Sequence, residues 1–250
     1  MSFIQDFKDS LTYPFEDSQW IQKLWPLPLL AILPIIGVLS VILLKGWRFE
    51  MVKRLSTGDR SLPEFDIVTM FQRGLLLWAV MIAHMFIPGV ICALLGLSGP
   101  LGLIQDIYEF FANGLSGWAQ SQSQDLLLKI IVYVVWGIIS APVFQSGMIR
   151  YVISGDWKSL VNVPVNFMFF LRYIHYFLKF YVAWIMLIIL VVAMDSVLSV
   201  TGIGLLLVPI VSFVFYYISS AHELGHLAYK INKKENRVES TEVAALSSQP

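Results

Sequence analysis

Apolar residues run in five long stretches, 24–47, 74–97, 126–147, 173–194 and 201–221, separated by shorter polar segments. A bilayer core of ~30 Å takes ~20 residues of helix, so each stretch is long enough to cross once. The pattern predicts an all-α, polytopic helical membrane protein of five spans with amphipathic helices at the interface. The first stretch lacks the basic n-region and small-residue cleavage site of a signal peptide and also begins too late. Pro34-Ile-Ile-Gly37 interrupts it, and Pro with Gly can break a membrane helix. A kinked span places the N-terminus outside and a re-entrant hairpin places it inside, and the sequence leaves both open.

Composition sharpens the class. Hydrophobic residues make up 57% of the chain and charged residues 14%, with mean hydropathy +0.72. A soluble domain needs about 25% charged residues to wet its surface. The net charge is zero, which gives no electrostatic footprint for nucleic acid. The single cysteine, Cys92, excludes an intrachain disulfide.

Charge sets the orientation. Lys45 lies at the end of the first stretch and Arg48, Lys53, Arg54 and Arg60 follow it, Arg150, Lys158 and Arg172 follow the third, and Lys230, Lys233, Lys234 and Arg237 follow the last. Residues 98–125 carry Asp106, Glu109 and Asp125 but no basic residue. The positive-inside rule predicts a cell-membrane protein with a cytoplasmic C-terminus. Ile104, Tyr108 and Phe111, mixed with polar residues, predict an amphipathic helix on the outer face.

The chain carries an internal repeat. Met51-Val-Lys-Arg-Leu-Ser-Thr-Gly58-Asp59 aligns without gaps on Met148-Ile-Arg-Tyr-Val-Ile-Ser-Gly155-Asp156, and each leads through a Pro (Pro63, Pro164) to Arg73 or Arg172 and a span. Basic loops on one side in both halves make it a parallel repeat. The expected division is an N-terminal interfacial segment (1–23), a first repeat (24–125), a second repeat (126–231) and a disordered polar tail (232–250). Each Gly-Asp pair reads as a turn, with Gly supplying the backbone conformation and Asp bonding locally. Pro63 reads as the first residue of a surface helix. Trp20, Trp25, Trp47, Trp78 and Trp157 fall near span ends, as interfacial anchors do.

Tyr13-Pro14-Phe15-Glu16-Asp17-Ser18-Gln19-Trp20 and Gly58-Asp59-Arg60-Ser61-Leu62-Pro63-Glu64-Phe65-Asp66 resemble two signature blocks of the domain of unknown function 4013 family. The resemblance extends over about residues 10–230. It implies a bacterial or archaeal multi-pass membrane protein and supplies no catalytic residues.

One constellation suggests chemistry. His222-Glu223-Leu224-Gly225-His226 is an H-E-x-x-H motif, which on a helix puts two His on one face to bind zinc with Glu223 as general base. It resembles the His-Glu-x-Gly-His of site-2-type intramembrane metalloproteases, although their later Asp-Gly ligand segment is absent. His175 is the third-ligand candidate, ahead of Asp59 and Asp156, which share its side of the membrane. The plain alternative is that the three residues are interfacial, meeting headgroups and pairing with Arg150 or Arg172. His84, near mid-span, reads as a neutral imidazole bonded to a neighbouring helix.

The first reading is a non-enzymatic protein that binds membrane lipids or organises other membrane proteins, without a cofactor. The second is an intramembrane zinc metalloprotease. The third is a small-solute transporter, for which only Pro34-Gly37 and His84 offer broken-helix or mid-span polar features.

Overall fold

In a computed structural model the chain is helical, and the structure describes residues 3–28, 37–97, 123–198 and 204–247. The helices are α1 (Phe3–Thr12), α2 (Trp20–Leu24), α3 (Gly37–Ser56), α4 (Ile67–Leu94), α5 (Ser123–Ser154), α6 (Lys158–Val161), α7 (Val163–Arg172), α8 (Ile174–Leu198) and α9 (Gly204–Ser247). A 3-10 turn at Tyr13–Phe15 joins α1 to the segment before α2. No strand occurs among the described residues.

Three helical stretches, Ile67–Leu94, Leu127–Ser154 and Ile174–Val197, are long and apolar enough to cross a membrane. They are the second, third and fourth stretches of the sequence pattern. The first and last run through residues outside the described set, as do Pro34 and the outer amphipathic helix expected after residue 98.

By contact the chain divides into two compact units, Met1–Trp78 with Ser146–Pro250, and Ala79–Gln145. In the first, α9 packs against α3, α8 and α1. Tyr217, Ile218, Ala221, Leu224, Leu227, Ala228 and Ile231 are buried along α9, at the spacing of one helical face. Part of that face shares a core with Leu43, Leu44, Trp47, Met51 and Leu55 of α3. Trp47 is therefore a fully buried core residue and not an interfacial anchor, whereas Trp25 and Trp157 are exposed. α3 and α4 cross at glycines. A Cβ on Gly46 would strike the Met70 carbonyl, and one on Gly74 would strike the Ile42 carbonyl. Small residues let membrane helices approach this closely, and Glu50 pairs with Arg73 across the same crossing.

Both Gly-Asp pairs end helices in the same way. Gly58 (φ +88°) and Gly155 (φ +73°) adopt the left-handed conformation, which non-glycine residues enter only at a cost. Asp59 accepts the Ser61 N–H at 2.9 Å, and Asp156 accepts the Lys158 N–H at 3.0 Å. The segments that follow differ. Asn162 caps α7, which ends before α8 begins. In the first half the helix starts at Ile67, not at Pro63, with Asp66 accepting from Val68 and Thr69. Residues 59–66 stay non-helical because the N-terminal segment holds them: Leu62 is buried and its N–H bonds Asp17.

In the second unit, His84 Nδ1 lies 2.9 Å from the Val80 carbonyl of its own helix, and not from a neighbouring one. The His84 carbonyl accepts the Trp136 indole N–H at 2.7 Å.

Candidate functional site

The two sequence blocks that carry the family resemblance form one structural lock. Arg60 donates to both carboxylate oxygens of Glu16, at 3.1 and 2.8 Å. Asp17 accepts from Lys23, from the Gln19 N–H and from the Leu62 N–H. The Tyr13 hydroxyl donates to the Ser61 carbonyl at 3.4 Å. Tyr13 and Leu62 are fully buried in the shared core, with Trp20 and Phe65 packed on it. Lys23 and backbone N–H groups hold the Asp17 carboxyl below its ordinary value.

His222 packs against this lock. Its ring centroid lies 4.5 Å from that of Tyr13, and only 4% of the residue is exposed. The turn that ends α1 places Tyr13 there, and α9 carries His222 and His226 one helical turn apart, ring centroids 6.2 Å from each other. Burial, with His226 and Arg60 nearby, pushes His222 down to about 3, so it is a neutral imidazole at physiological pH. Its Nδ1 is buried without a partner.

α1 covers the other side of the motif. Lys230 donates to Asp6 Oδ2 at 2.6 Å, while Asp6 Oδ1 stands 4.0 Å from His226 Nδ1, too far for a hydrogen bond. Burial pushes Glu223 up to about 7, against the pull of the Ser10 hydroxyl. Burial also lowers His226. Asp6 Oδ1 and Glu223 Oε1 are both buried and unpartnered. The residues Asp6 and Glu223 line a cavity of about 30 Å³ with Lys179, Tyr176 and His226. That volume suffices for water, which needs ~10–15 Å³ and polar neighbours. A second cavity, of about 280 Å³, is lined by Asp9, Leu55, Gly58, Arg60, His222, His226 and Tyr229.

Gly225 has a packing role. A Cβ there would lie 2.6 Å from Leu55 Cβ, so glycine lets α9 close on α3. Among the described residues no three His, Cys, Asp or Glu are grouped to hold a metal ion. His175, the expected third ligand, has its ring against Tyr176 at 3.9 Å. Arg150 and Arg172 are not the motif's partners either. Arg150 bonds the buried Asn166, and Arg172 lies over Tyr173. Around the motif stand Asp6, Asp9 and Ser10, which sequence reasoning passed over, and Tyr13, which it singled out only for the family resemblance. Their signal was available: positions 6, 9, 10 and 13 recur at helical spacing just before the Tyr-Pro turn. Beyond the motif α9 continues helical to Ser247, through the stretch read as a polar tail. Asn232 donates to the Ser56 carbonyl and Glu235 accepts from Tyr173, so this part of the helix is held by its neighbours.

A family model described as "Protein of unknown function (DUF4013)" matches residues 29–221. Comparison with curated proteins and with solved structures finds no match. The matched region ends immediately before His222 and begins after the Tyr13–Trp20 block, so both lie outside it.

Proposed function

The chain belongs to the family described as Protein of unknown function (DUF4013), a description that names no activity, and we propose that it is a non-enzymatic, multi-pass membrane protein that binds lipid or organises membrane partners. The observation behind this reading is the apolar surface it presents. The three described span candidates bury only 28%, 11% and 22% of their apolar windows. Beside them α7 turns polar Asn166 inward and exposes Val165, Met168 and Leu171. A helix on a water-facing surface does the reverse. This pattern suits a helix lying in the headgroup region, with Lys158 and Arg172 near anionic lipid.

The first and last apolar stretches make five spans in this reading, and the matched Gly-Asp caps support a parallel duplication of residues 24–125 and 126–231. The basic loops and the C-terminus face the cytoplasm of the cell membrane. Mass spectrometry of the purified protein, after detergent exchange, tests lipid binding. Lipid retained in fixed ratio to protein is expected, and a stable protein stripped of lipid overturns the lipid reading.

A zinc metalloprotease using Glu223 stands second, on the single observation that buried neutral His222 keeps an unpartnered Nδ1. Stoichiometric zinc, lost in both His222→Ala and His226→Ala, would favour it over the first.

A further inference from the structure

We propose that the larger cavity beside the H-E-x-x-H stretch binds a zwitterionic headgroup of the phosphoethanolamine class, its ammonium on Asp9 and its phosphate on Arg60 and His222. The inference deepens the lipid-binding reading and rests on it. Three observations carry it. His222 lines the cavity, is 4% exposed, and leaves Nδ1 buried without a partner. Arg60 lines the same cavity, and Glu16 already holds its Nε and Nη2, which fixes the guanidinium in place. Asp9 lines it too, and among the described residues its carboxylate makes no ion pair.

The charges decide the ligand class. A simple anion would meet Asp9, and a simple cation would meet Arg60. A ligand with one group of each sign complements both. Tyr13 packs against the His222 ring, tilted by 40°, and restricts its orientation. The volume, about 280 Å³, lies at the low end of small-ligand pockets, ~300 Å³, and suits a headgroup and not a whole lipid. His222 and His226 follow directly on the last apolar stretch, 201–221, so in the five-span reading the cavity they line falls at the headgroup level. The same chemistry is offered by phosphatidylethanolamine and by free phosphoethanolamine.

The test uses the full chain in nanodiscs. Retention is measured for phosphatidylethanolamine, phosphatidylcholine and phosphatidylglycerol, and binding of free O-phosphoethanolamine is measured by calorimetry. Phosphatidylcholine lacks the N–H donors and phosphatidylglycerol lacks the ammonium. Preference for phosphatidylethanolamine is expected, weakened roughly tenfold in Asp9→Asn and in His222→Phe, which keeps a ring against Tyr13. Unchanged melting temperatures show that the variants fold. A variant that does not fold is replaced by Arg60→Gln, whose side chain is half exposed. Calorimetric binding of the free compound makes the headgroup sufficient, whereas retention of the lipid alone makes the acyl chains part of the ligand. Lipid retained without headgroup preference, or retained equally by the folded variants, overturns this inference alone. No lipid retained at all overturns the lipid-binding reading beneath it.

Discussion

The Trp136 indole donates to the His84 carbonyl at 2.7 Å, and that carbonyl lies four residues before Pro88. In an α-helix the N–H of residue 88 would bond it, but proline has none. Trp136 supplies the missing donor from α5. In the hydrocarbon core, where water cannot substitute, an orphaned carbonyl is costly.

Trp136→Phe should therefore destabilise the protein by about 1–3 kcal/mol. Pro88→Ala restores the backbone donor, so the double variant should recover much of the loss. Thermal unfolding in detergent of the four proteins of this cycle provides the check. Equal losses from Trp136→Phe with and without Pro88 would show that the bond does not act in this way.

Asp17 and Glu16 sit side by side but should differ in weight. Asp17 accepts from Lys23 and from two backbone N–H groups with its side chain 10% exposed, whereas the Glu16–Arg60 pair is about half exposed. Asp17→Ala should cost about 2–3 kcal/mol and Glu16→Ala about 0.5 kcal/mol or less. The folded carboxyl of Asp17 titrates below its ordinary value of 3.8, Lys23 being the main cause. Its contribution is complete above that value and is lost as pH falls through the lower folded one. The gap between wild type and Asp17→Asn should thus narrow in acid, and a pH-independent gap would contradict the assignment.

Glu223 carries the opposite sign. Burial raises it from 4.5 to about 7, so its folded form holds a proton that the unfolded chain has released. Stability from this group is complete below 4.5 and is lost as pH rises towards 7. Glu223→Gln should gain on wild type by about 1–2 kcal/mol between pH 5 and pH 8, after discounting the full 1.36 kcal/mol per unit for partial solvation. The opposing His222 contribution is shared by both proteins. Melting curves at the two pH values decide the matter, and a constant difference speaks against a buried, protonated Glu223.

Gly225→Ala should destabilise by about 1–3 kcal/mol, since the new methyl meets Leu55 Cβ and cannot be relieved by a rotamer change. An unchanged melting temperature would remove the packing explanation for this glycine.

For topology, Asp156→Cys in the exposed turn after α5 should resist an impermeant thiol reagent in intact cells, and Ser121→Cys should react. The reverse pattern would invert the proposed orientation.

The helical membrane class was legible in the chain because it depends on local chemistry: runs of apolar residues and a dearth of charge. So were the Gly58-Asp59 and Gly155-Asp156 turns, since a left-handed glycine followed by a locally bonded aspartate involves only neighbouring residues. The start of α4 was not legible. Pro63 looks like a helix start until Asp17, 45 residues earlier, takes the Leu62 N–H. Trp47 looks like an interfacial anchor until α9 is packed against α3. The H-E-x-x-H spacing was plain in one dimension. Its surroundings were set by α1 folding back across more than 200 residues, which put Tyr13 on His222 and Asp6 on Lys230. Sequence determines what each segment can form alone. Only tertiary packing decides which side chains lose water together, and therefore which groups are paired, neutral or left facing a cavity.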